Sequence, residues 1–384
     1  MMEKGNAGAF RRRETIGWID ALRVLAIILV IISHCCDHFT ALYGIDESGY
    51  RLGAILGSLV RPCVPLFAMM TGVLLLPVKR DITLTGFYRK RIGRLLWPLA
   101  FWSIVLPIAN YLAYNYVWTD PANVSLVGPF TVDNLVNHLY TWIFNFNYDT
   151  IPLWYIYMLL GVYLVMPIVS RWLETASDSD IRTVLWLWGA SLLVPYIQYY
   201  APSLGYQGNY GSMGLWGVCS WNTFGTFYYV SGFMGYMILA HYLARNPVRC
   251  SSGKLAAVTI PMFAVGFAAT TLGYMSMMPS GNWFLIEQFW SFCSVNVLMM
   301  TLPVFIWVER SQVKVPPIVT KLSIMSFGVY LCHFSIVQWG YEIMYATGLP
   351  AGVRLALNVV LSGVVSFLIV AAMMRVKVLR RFVA

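Results

Sequence analysis

Long apolar segments recur along the whole chain and limit the class of fold that it can adopt. A bilayer core about 30 Å thick requires about 20 mostly apolar residues for each membrane-spanning helix. Hydrophobic residues make up 59% of the chain and charged residues only 11%, a balance typical of polytopic membrane proteins. We therefore predict an all-α, polytopic transmembrane helical bundle. About ten membrane-spanning helices are predicted, at 16–38, 53–77, 92–117, 151–171, 182–200, 221–243, 255–278, 283–308, 321–345 and 352–375.

Lysine and arginine predict the orientation of this bundle. Most of the 26 basic residues precede the first segment, follow the last, or lie in loops on the same side as both termini. Such loops normally stay in the cytoplasm, so both termini are predicted to be cytoplasmic. This distribution accounts for the net charge of +10 without nucleic acid, and membrane lipids are the expected surroundings. We predict one domain over 1–384: a basic N-terminus at 1–15, the bundle at 16–375 and a basic tail at 376–384.

The first segment carries a charged and a titratable residue within an apolar run. Ten residues separate Arg23 from His34, and nine of them are apolar. Positions eleven apart on an α-helix lie on nearly one face, about 16 Å apart. Asp20 falls near the same stripe, and Asp37 lies one turn beyond His34. A charge in the bilayer core costs at least about 2.5–3.5 kcal/mol, so it normally faces protein or water.

Two interpretations of this stripe remain open. Arg23 and Asp20 can form a structural ion pair while His34 reaches the membrane interface. Alternatively, the stripe is a functional polar track that links the two faces of the membrane. His34 is then the best candidate for a general base, because histidine titrates near neutrality, and Asp37 is predicted to orient or stabilise its imidazole.

A second basic motif, "FYRKRIGRLLWP", opens the third segment with Arg89, Arg91 and Arg94. Arg91 and Arg94 are three residues apart and therefore share one face of a helix. The motif is typical of a cytoplasmic membrane anchor. It also suits a clamp for a phosphorylated ligand such as coenzyme A, because guanidinium groups match phosphate oxygens.

Further polar residues lie in or beside apolar segments. His333 occurs in "SFGVYLCHFSIV", Arg61 precedes two prolines in "RPCVPLFAMM", and Glu287 begins the eighth segment. Each can be a packing residue or a supporting part of a site. Seven scattered cysteines show no zinc-binding spacing, so we expect no metal and treat them as small apolar residues.

Several of these motifs together resemble the acyltransferase-3 family of integral-membrane acyltransferases, which includes enterobacterial common antigen and polysaccharide O-acetyltransferases. "WIDALRVLAIILVIISH" is similar to its first helix, in which arginine precedes histidine by ten intervening residues. Arg91-Ile-Gly-Arg94 matches the cytoplasmic R-x-x-R motif of the family. "RPCVPLFAMMTGVLLLP", "PLWYIYMLLGVYLVMPIV", "FYYVSGFMGYMI" and "SFGVYLCHFSIV" resemble its other landmarks in order, so the resemblance covers nearly the whole chain.

This resemblance implies an enzyme of the bacterial inner membrane that takes an acyl group, usually acetyl, from cytoplasmic acyl-CoA. The group goes to a hydroxyl of a carbohydrate or lipid-linked glycan, as in exopolysaccharide O-acetylation. By resemblance, His34 is the catalytic histidine and Arg23 its essential partner. Arg91 and Arg94 form the cytoplasmic motif, where Arg89 is a further candidate for binding acetyl-CoA. Asp20, Arg61, Glu287 and His333 are predicted to bind substrate or support the site.

Two other classes of function remain compatible with the sequence. A transporter or exporter of a glycan or lipid-linked precursor would also use about ten helices with intramembrane charges. A membrane scaffold for glycan assembly is less compatible, because a scaffold has no use for a costly polar track between Arg23 and His34. Binding of acyl-CoA separates the enzyme from both.

Overall fold

The structure is a computed structural model that describes residues 16–78, 81–120, 122, 130–144, 148–205 and 224–383. The described part of the chain is helical and contains no strand. Its α-helices are α1 Gly17–Thr40, α2 Glu47–Leu59, α3 Cys63–Leu75, α4 Leu84–Tyr116, α5 Val132–Thr141, α6 Trp154–Thr175, α7 Asp178–Ser191, α8 Val194–Tyr200, α9 Phe233–Arg245, α10 Ser252–Met277, α11 Trp283–Gln288, α12 Val295–Ser311, α13 Pro317–Tyr345, α14 Ala351–Arg375 and α15 Lys377–Arg380.

An all-α, polytopic architecture is therefore confirmed, whereas the predicted count of about ten spanning helices is not. Among the described residues, seven helical segments are long and apolar enough to cross a membrane. They are Gly17–Thr40, Glu47–Leu75, Leu84–Tyr116, Val132–Thr175, Ser252–Ser280, Pro317–Tyr345 and Ala351–Arg375. The cytoplasmic position of the termini stays a prediction from charge.

Three of the predicted segments contain no described helix long enough to span: two are broken, and the third begins outside the described residues. Segment 182–200 divides into α7 and α8, and Pro195 lies in the first turn of α8, where a missing N–H group is tolerated. Segment 283–308 divides into α11 and α12, because the backbone at Ser294 is extended. Segment 221–243 begins outside the described residues, and its helix α9 has only 13 residues.

The second predicted segment is also divided, at a proline. Its helix α2 begins earlier than predicted, at Glu47, because the Asp46 carboxylate accepts a hydrogen bond from the Gly49 backbone N–H at 3.0 Å. Pro62 then precedes α3 as its N-cap residue. These two short helices together provide one membrane-length segment, Glu47–Leu75.

The first helix lies at the centre of the bundle. It contacts α2, α3, α12, α13 and α14, and Leu22, Ala26 and Ile27 are fully buried. Glycine permits the closest approach to α2, since a Cβ atom at Gly53 would lie 2.8 Å from the Thr40 backbone nitrogen. This central position surrounds the polar residues of α1 with protein.

Three helices that carry predicted site residues run in the same direction. Asp20, near the start of α1, bonds to residues near the start of α13, and His34, near the end of α1, contacts the middle of α13. Residues near the start of α4 share a cavity with Arg23. We call this side of the bundle, with Arg23, Arg91 and Arg94, the arginine end, and the opposite side the histidine end.

Candidate active site

His34 forms a hydrogen-bonded pair with Asp37. The His34 Nδ1 atom lies 2.8 Å from Asp37 Oδ2, across one turn of α1. The two side chains are 20% and 32% exposed, so a substrate group can reach them. An ionised carboxylate only accepts hydrogen bonds, so this contact assigns the proton to Nδ1 and leaves Nε2 as an acceptor. The pair therefore has the arrangement of an oriented general base.

A second imidazole packs against this base. The ring centroids of His34 and His333 are 5.2 Å apart, and the edge of Phe334 completes the wall at 5.1 Å. His333 is fully buried, and its Nδ1 donates to the Tyr330 carbonyl oxygen at 2.7 Å. Its Nε2 has no hydrogen-bond partner among the described residues. His333 is thus a neighbour of the catalytic candidate, as its predicted supporting role requires.

Asp20 connects α1 to α13 at the arginine end of the bundle. Its carboxylate accepts hydrogen bonds from Thr320 Oγ1 at 3.0 Å and Ser323 Oγ at 2.7 Å. Arg23 Nη1 lies 4.0 Å from the same carboxylate, at the limit of an ion pair. Because both hydroxyls bind Asp20 more closely than Arg23 does, the carboxylate holds the two helices together as well as facing the arginine.

An open cavity is lined by three of the arginines predicted to belong to the site. It has a volume of about 350 Å³, within the usual range for ligand pockets. Its lining includes Arg23 of α1, Arg91 and Arg94 of α4, Tyr155 of α6, and Ser323 and Tyr330 of α13. Three arginines from two helices therefore line one space, which suits an anionic ligand such as a phosphate.

Tyr330 connects the cavity to the two histidines. It lines the cavity, and its ring lies 5.6 Å from the His333 ring and 5.2 Å from the Tyr155 ring. His333 in turn contacts His34. The contacts thus run without interruption from the arginine-lined cavity to the His34–Asp37 pair.

The remaining predicted residues take separate positions. Arg89 is exposed on α4 and is not among the residues that line the cavity. Arg61 uses Nε and Nη2 to donate to the Trp290 carbonyl oxygen at 2.9 and 2.7 Å, and its Nη1 lies 3.5 Å from Ser33 Oγ. Its guanidinium carbon lies 4.8 Å from the Trp290 ring centroid. Arg61 therefore braces the turn of α1 that precedes His34.

Glu287 lies on α11, near this arginine. Desolvation raises the pKa of its carboxyl above the ordinary value, while Arg61 lowers it and Asp37 raises it further. Arg61, Asp37 and Glu287 therefore act on one another electrostatically, although no direct ion pair joins Glu287 to either partner among the described contacts. Its predicted supporting role stays a prediction.

Sequence reasoning missed the residues that connect these groups. Tyr155 and Tyr330 lie in apolar helices whose aromatic residues suggest only packing, and Thr320 and Ser323 carry no motif. The available signal was the spacing on α13, where Ser323 and Tyr330 are seven residues apart and therefore share one face. The same face meets α1, where Asp20 and His34 are found.

The fold and the site together define a class: a multi-pass membrane protein with an arginine-lined cavity at one end and a His–Asp pair beyond it. A family model described as an acyltransferase domain matches residues 16–375, nearly the whole chain. The chain therefore belongs to the acyltransferase-3 family of membrane acyltransferases. Corresponding searches among curated proteins and solved structures find no match.

Proposed function

We propose that this acyltransferase moves an acetyl group from cytoplasmic acetyl-CoA to a hydroxyl of a cell-surface or lipid-linked glycan, in the bacterial inner membrane. The observation that carries the proposal is the continuous set of contacts from the arginine-lined cavity through Tyr330 and His333 to His34. These packed side chains join the cavity that would hold the donor to the histidine that would act as the base. Its acceptor approaches from the histidine end.

The arginine end binds the donor. Arg91 is half-buried and Arg94 is exposed, so Arg94 meets the phosphates of coenzyme A at the mouth and Arg91 lies further inside. Arg23, on α1, faces the same cavity and lies about 16 Å from His34 along the helix. The cavity of about 350 Å³ receives the narrow pantetheine arm, while the nucleotide stays outside.

The His34–Asp37 pair carries the chemistry. The free Nε2 of His34 takes the proton of the acceptor hydroxyl as its oxygen attacks the thioester carbonyl. The C–S bond breaks, the coenzyme A sulfur leaves as a thiolate and receives the proton, and the acyl group stays on the acceptor as an ester. Asp37 stabilises the imidazolium that forms during transfer, because its carboxylate is already bonded to Nδ1.

Binding of acetyl-CoA to the purified protein tests this function. We expect saturable binding of labelled acetyl-CoA, which Arg94→Ala weakens about tenfold or more, since a hydrogen bond to a charged group contributes about 1.5–3 kcal/mol. Arg375→Ala is the matched control, because it removes one exposed arginine from the arginine end without touching the cavity. Folded protein that binds no acetyl-CoA would overturn the proposal in favour of a glycan exporter.

A further inference from the structure

A second group of polar and aromatic residues lies at the histidine end, between α4 and α13. Asn110 and Tyr114, one turn apart on α4, are 2% and 6% exposed, and Glu342 of α13 is 6% exposed. Three of their polar atoms are buried and have no hydrogen-bond partner among the described residues: Asn110 Oδ1, the Tyr114 hydroxyl and Glu342 Oε1. The indole Nε1 of Trp339 shares this property. We call these four residues the α4–α13 cluster.

Unpartnered buried polar atoms are costly, at about 1–3 kcal/mol each. A group of four close together is therefore a candidate for binding a polar ligand. The α4–α13 cluster contains both hydrogen-bond donors and acceptors. Asn110 Oδ1 and Glu342 Oε1 can accept, the Trp339 indole can donate, and the Tyr114 hydroxyl can do either. Sugar hydroxyls, which also donate and accept, match this combination.

Aromatic rings surround the α4–α13 cluster. Tyr114 stacks on Phe130 with ring centroids 4.5 Å apart, and Trp118 stacks on Trp339 at 6.1 Å. Tyr114 and Trp118 also contact each other at 6.1 Å, so the four rings form one wall. An aromatic face suits the apolar C–H face of a sugar ring, and tyrosine and tryptophan add a polar edge.

Two acidic residues lie near Tyr114. Asp149 accepts from Asn110 Nδ2 at 3.2 Å and pairs with His138 Nδ1 at 3.3 Å. Glu342 accepts from the Ala122 backbone N–H through Oε2 at 2.9 Å, while Oε1 has no hydrogen-bond partner among the described residues. Both acids act electrostatically on the Tyr114 side chain. Their carboxyl oxygens favour a ligand that donates hydrogen bonds and carries no phosphate.

The cluster is close to the candidate active site. Trp339 and Glu342 follow His333 on α13 by six and nine residues, or about 9 and 14 Å along the helix axis. The short helix Tyr148–Leu153, which carries Asp149, contacts both α4 and α13 and leads directly into α6. A ligand bound there lies on the side of His34 opposite the arginine-lined cavity.

We infer that the α4–α13 cluster binds the carbohydrate part of the acceptor, an uncharged sugar held by Asn110, Tyr114 and Glu342 and stacked on the aromatic wall. Its role in transfer rests on the proposed function, whereas sugar binding itself does not. The cluster selects the acceptor, while the arginine end selects the donor.

Photolabelling with a glycoside tests this inference in the full-length protein. The probes are diazirine-bearing octyl glycosides of glucose, galactose, N-acetylglucosamine and rhamnose, used on protein in lipid nanodiscs. We expect at least one probe to label peptides containing 110–118 or 338–342 saturably. The corresponding methyl glycoside, which lacks the octyl chain, should compete, whereas n-octanol should not.

Two conservative variants locate the binding. Tyr114→Phe removes only the unpartnered hydroxyl, and Glu342→Gln replaces a carboxyl oxygen with an amide nitrogen. Each should weaken labelling at least fivefold and leave acetyl-CoA binding within twofold. Tyr196→Phe is the matched control, because it removes a half-buried tyrosine hydroxyl that bonds Asn296, away from the cluster. It should leave labelling unchanged.

The possible results separate the two proposals. The carbohydrate site is overturned if acetyl-CoA binds saturably but none of the four glycosides labels the protein saturably. It is also overturned if n-octanol displaces the labelling. In both cases the donor site still stands. Labelling that both cluster variants leave intact also overturns it. Labelling that behaves as expected in a protein that binds no acetyl-CoA supports the carbohydrate site and removes the acyltransferase reaction proposed above.

Discussion

The imidazole rings of His34 on α1 and His333 on α13 lie 5.2 Å apart, and among the described residues only the His34 ring has a carboxylate partner. His34 is partly exposed, whereas His333 is fully buried between His34 and Tyr330 of the cavity lining. The two histidines therefore have different tasks. In the proposed reaction, His34 acts on the acceptor and His333 positions the acyl end of the donor beside it.

His333→Phe keeps an aromatic ring against His34 but removes both nitrogens. We expect turnover of acetyl-CoA to fall at least about tenfold, while the Kd for acetyl-CoA changes less than twofold, because the variant leaves the arginines in place. Phe334→Leu is the control, since Phe334 also contacts His34 and carries no nitrogen. Equal losses in both variants would assign a packing role to His333.

Asp37→Asn should lower turnover by about 10²-fold or more, the range of general acid–base contributions. The amide neither stabilises an imidazolium nor fixes the proton on Nδ1, because its own N–H group can face the ring. Steady-state kinetics with acetyl-CoA and a glycoside acceptor measure the loss. Asp46→Asn makes the same chemical change at the N-cap of α2, where the aspartate bonds Gly49, and should keep turnover within threefold. Full activity of the Asp37 variant would exclude the pair as the base.

Asp20→Ala should destabilise the fold, because the Thr320 and Ser323 hydroxyls lose their common acceptor. Hydrogen bonds to charged groups contribute about 1.5–3 kcal/mol each, so we expect about 3 kcal/mol less free energy of unfolding. Thermal denaturation in detergent, followed by a thiol-reactive dye, measures the shift. Thr320→Val removes one of the two bonds and should give a smaller shift. An unchanged midpoint for Asp20→Ala would show that other contacts hold α1 to α13.

The sequence predicted the parts of the site that lie on one helix. The spacing from Arg23 to His34 and from Arg91 to Arg94 follows from the period of the α-helix, so each pair could be placed on a common face. Their local partners also followed, since Asp20 and Asp37 are each one turn from the residue they pair with.

Contacts between distant helices could not be predicted in this way. Nothing in the periodicity of α13 indicates that His333 meets His34, or that Tyr330 lines a cavity with Arg91. The breaks around Leu192 and before α12 were missed because hydropathy stays high across them, whereas helix ends depend on proline and on local backbone geometry. Arg89 resembled its neighbours in sequence, but its position on α4 leaves it outside the cavity lining.

The most direct test of the account is turnover of labelled acetyl-CoA by purified His34→Gln, alongside the wild-type protein and Arg94→Ala. We expect His34→Gln to bind acetyl-CoA within twofold of wild type but to release acetate and form acetylated glycoside at least about 10²-fold more slowly. Arg94→Ala should instead chiefly weaken binding. Wild-type turnover in His34→Gln would contradict the account, because the reaction would then not depend on the histidine that the contacts from the cavity reach.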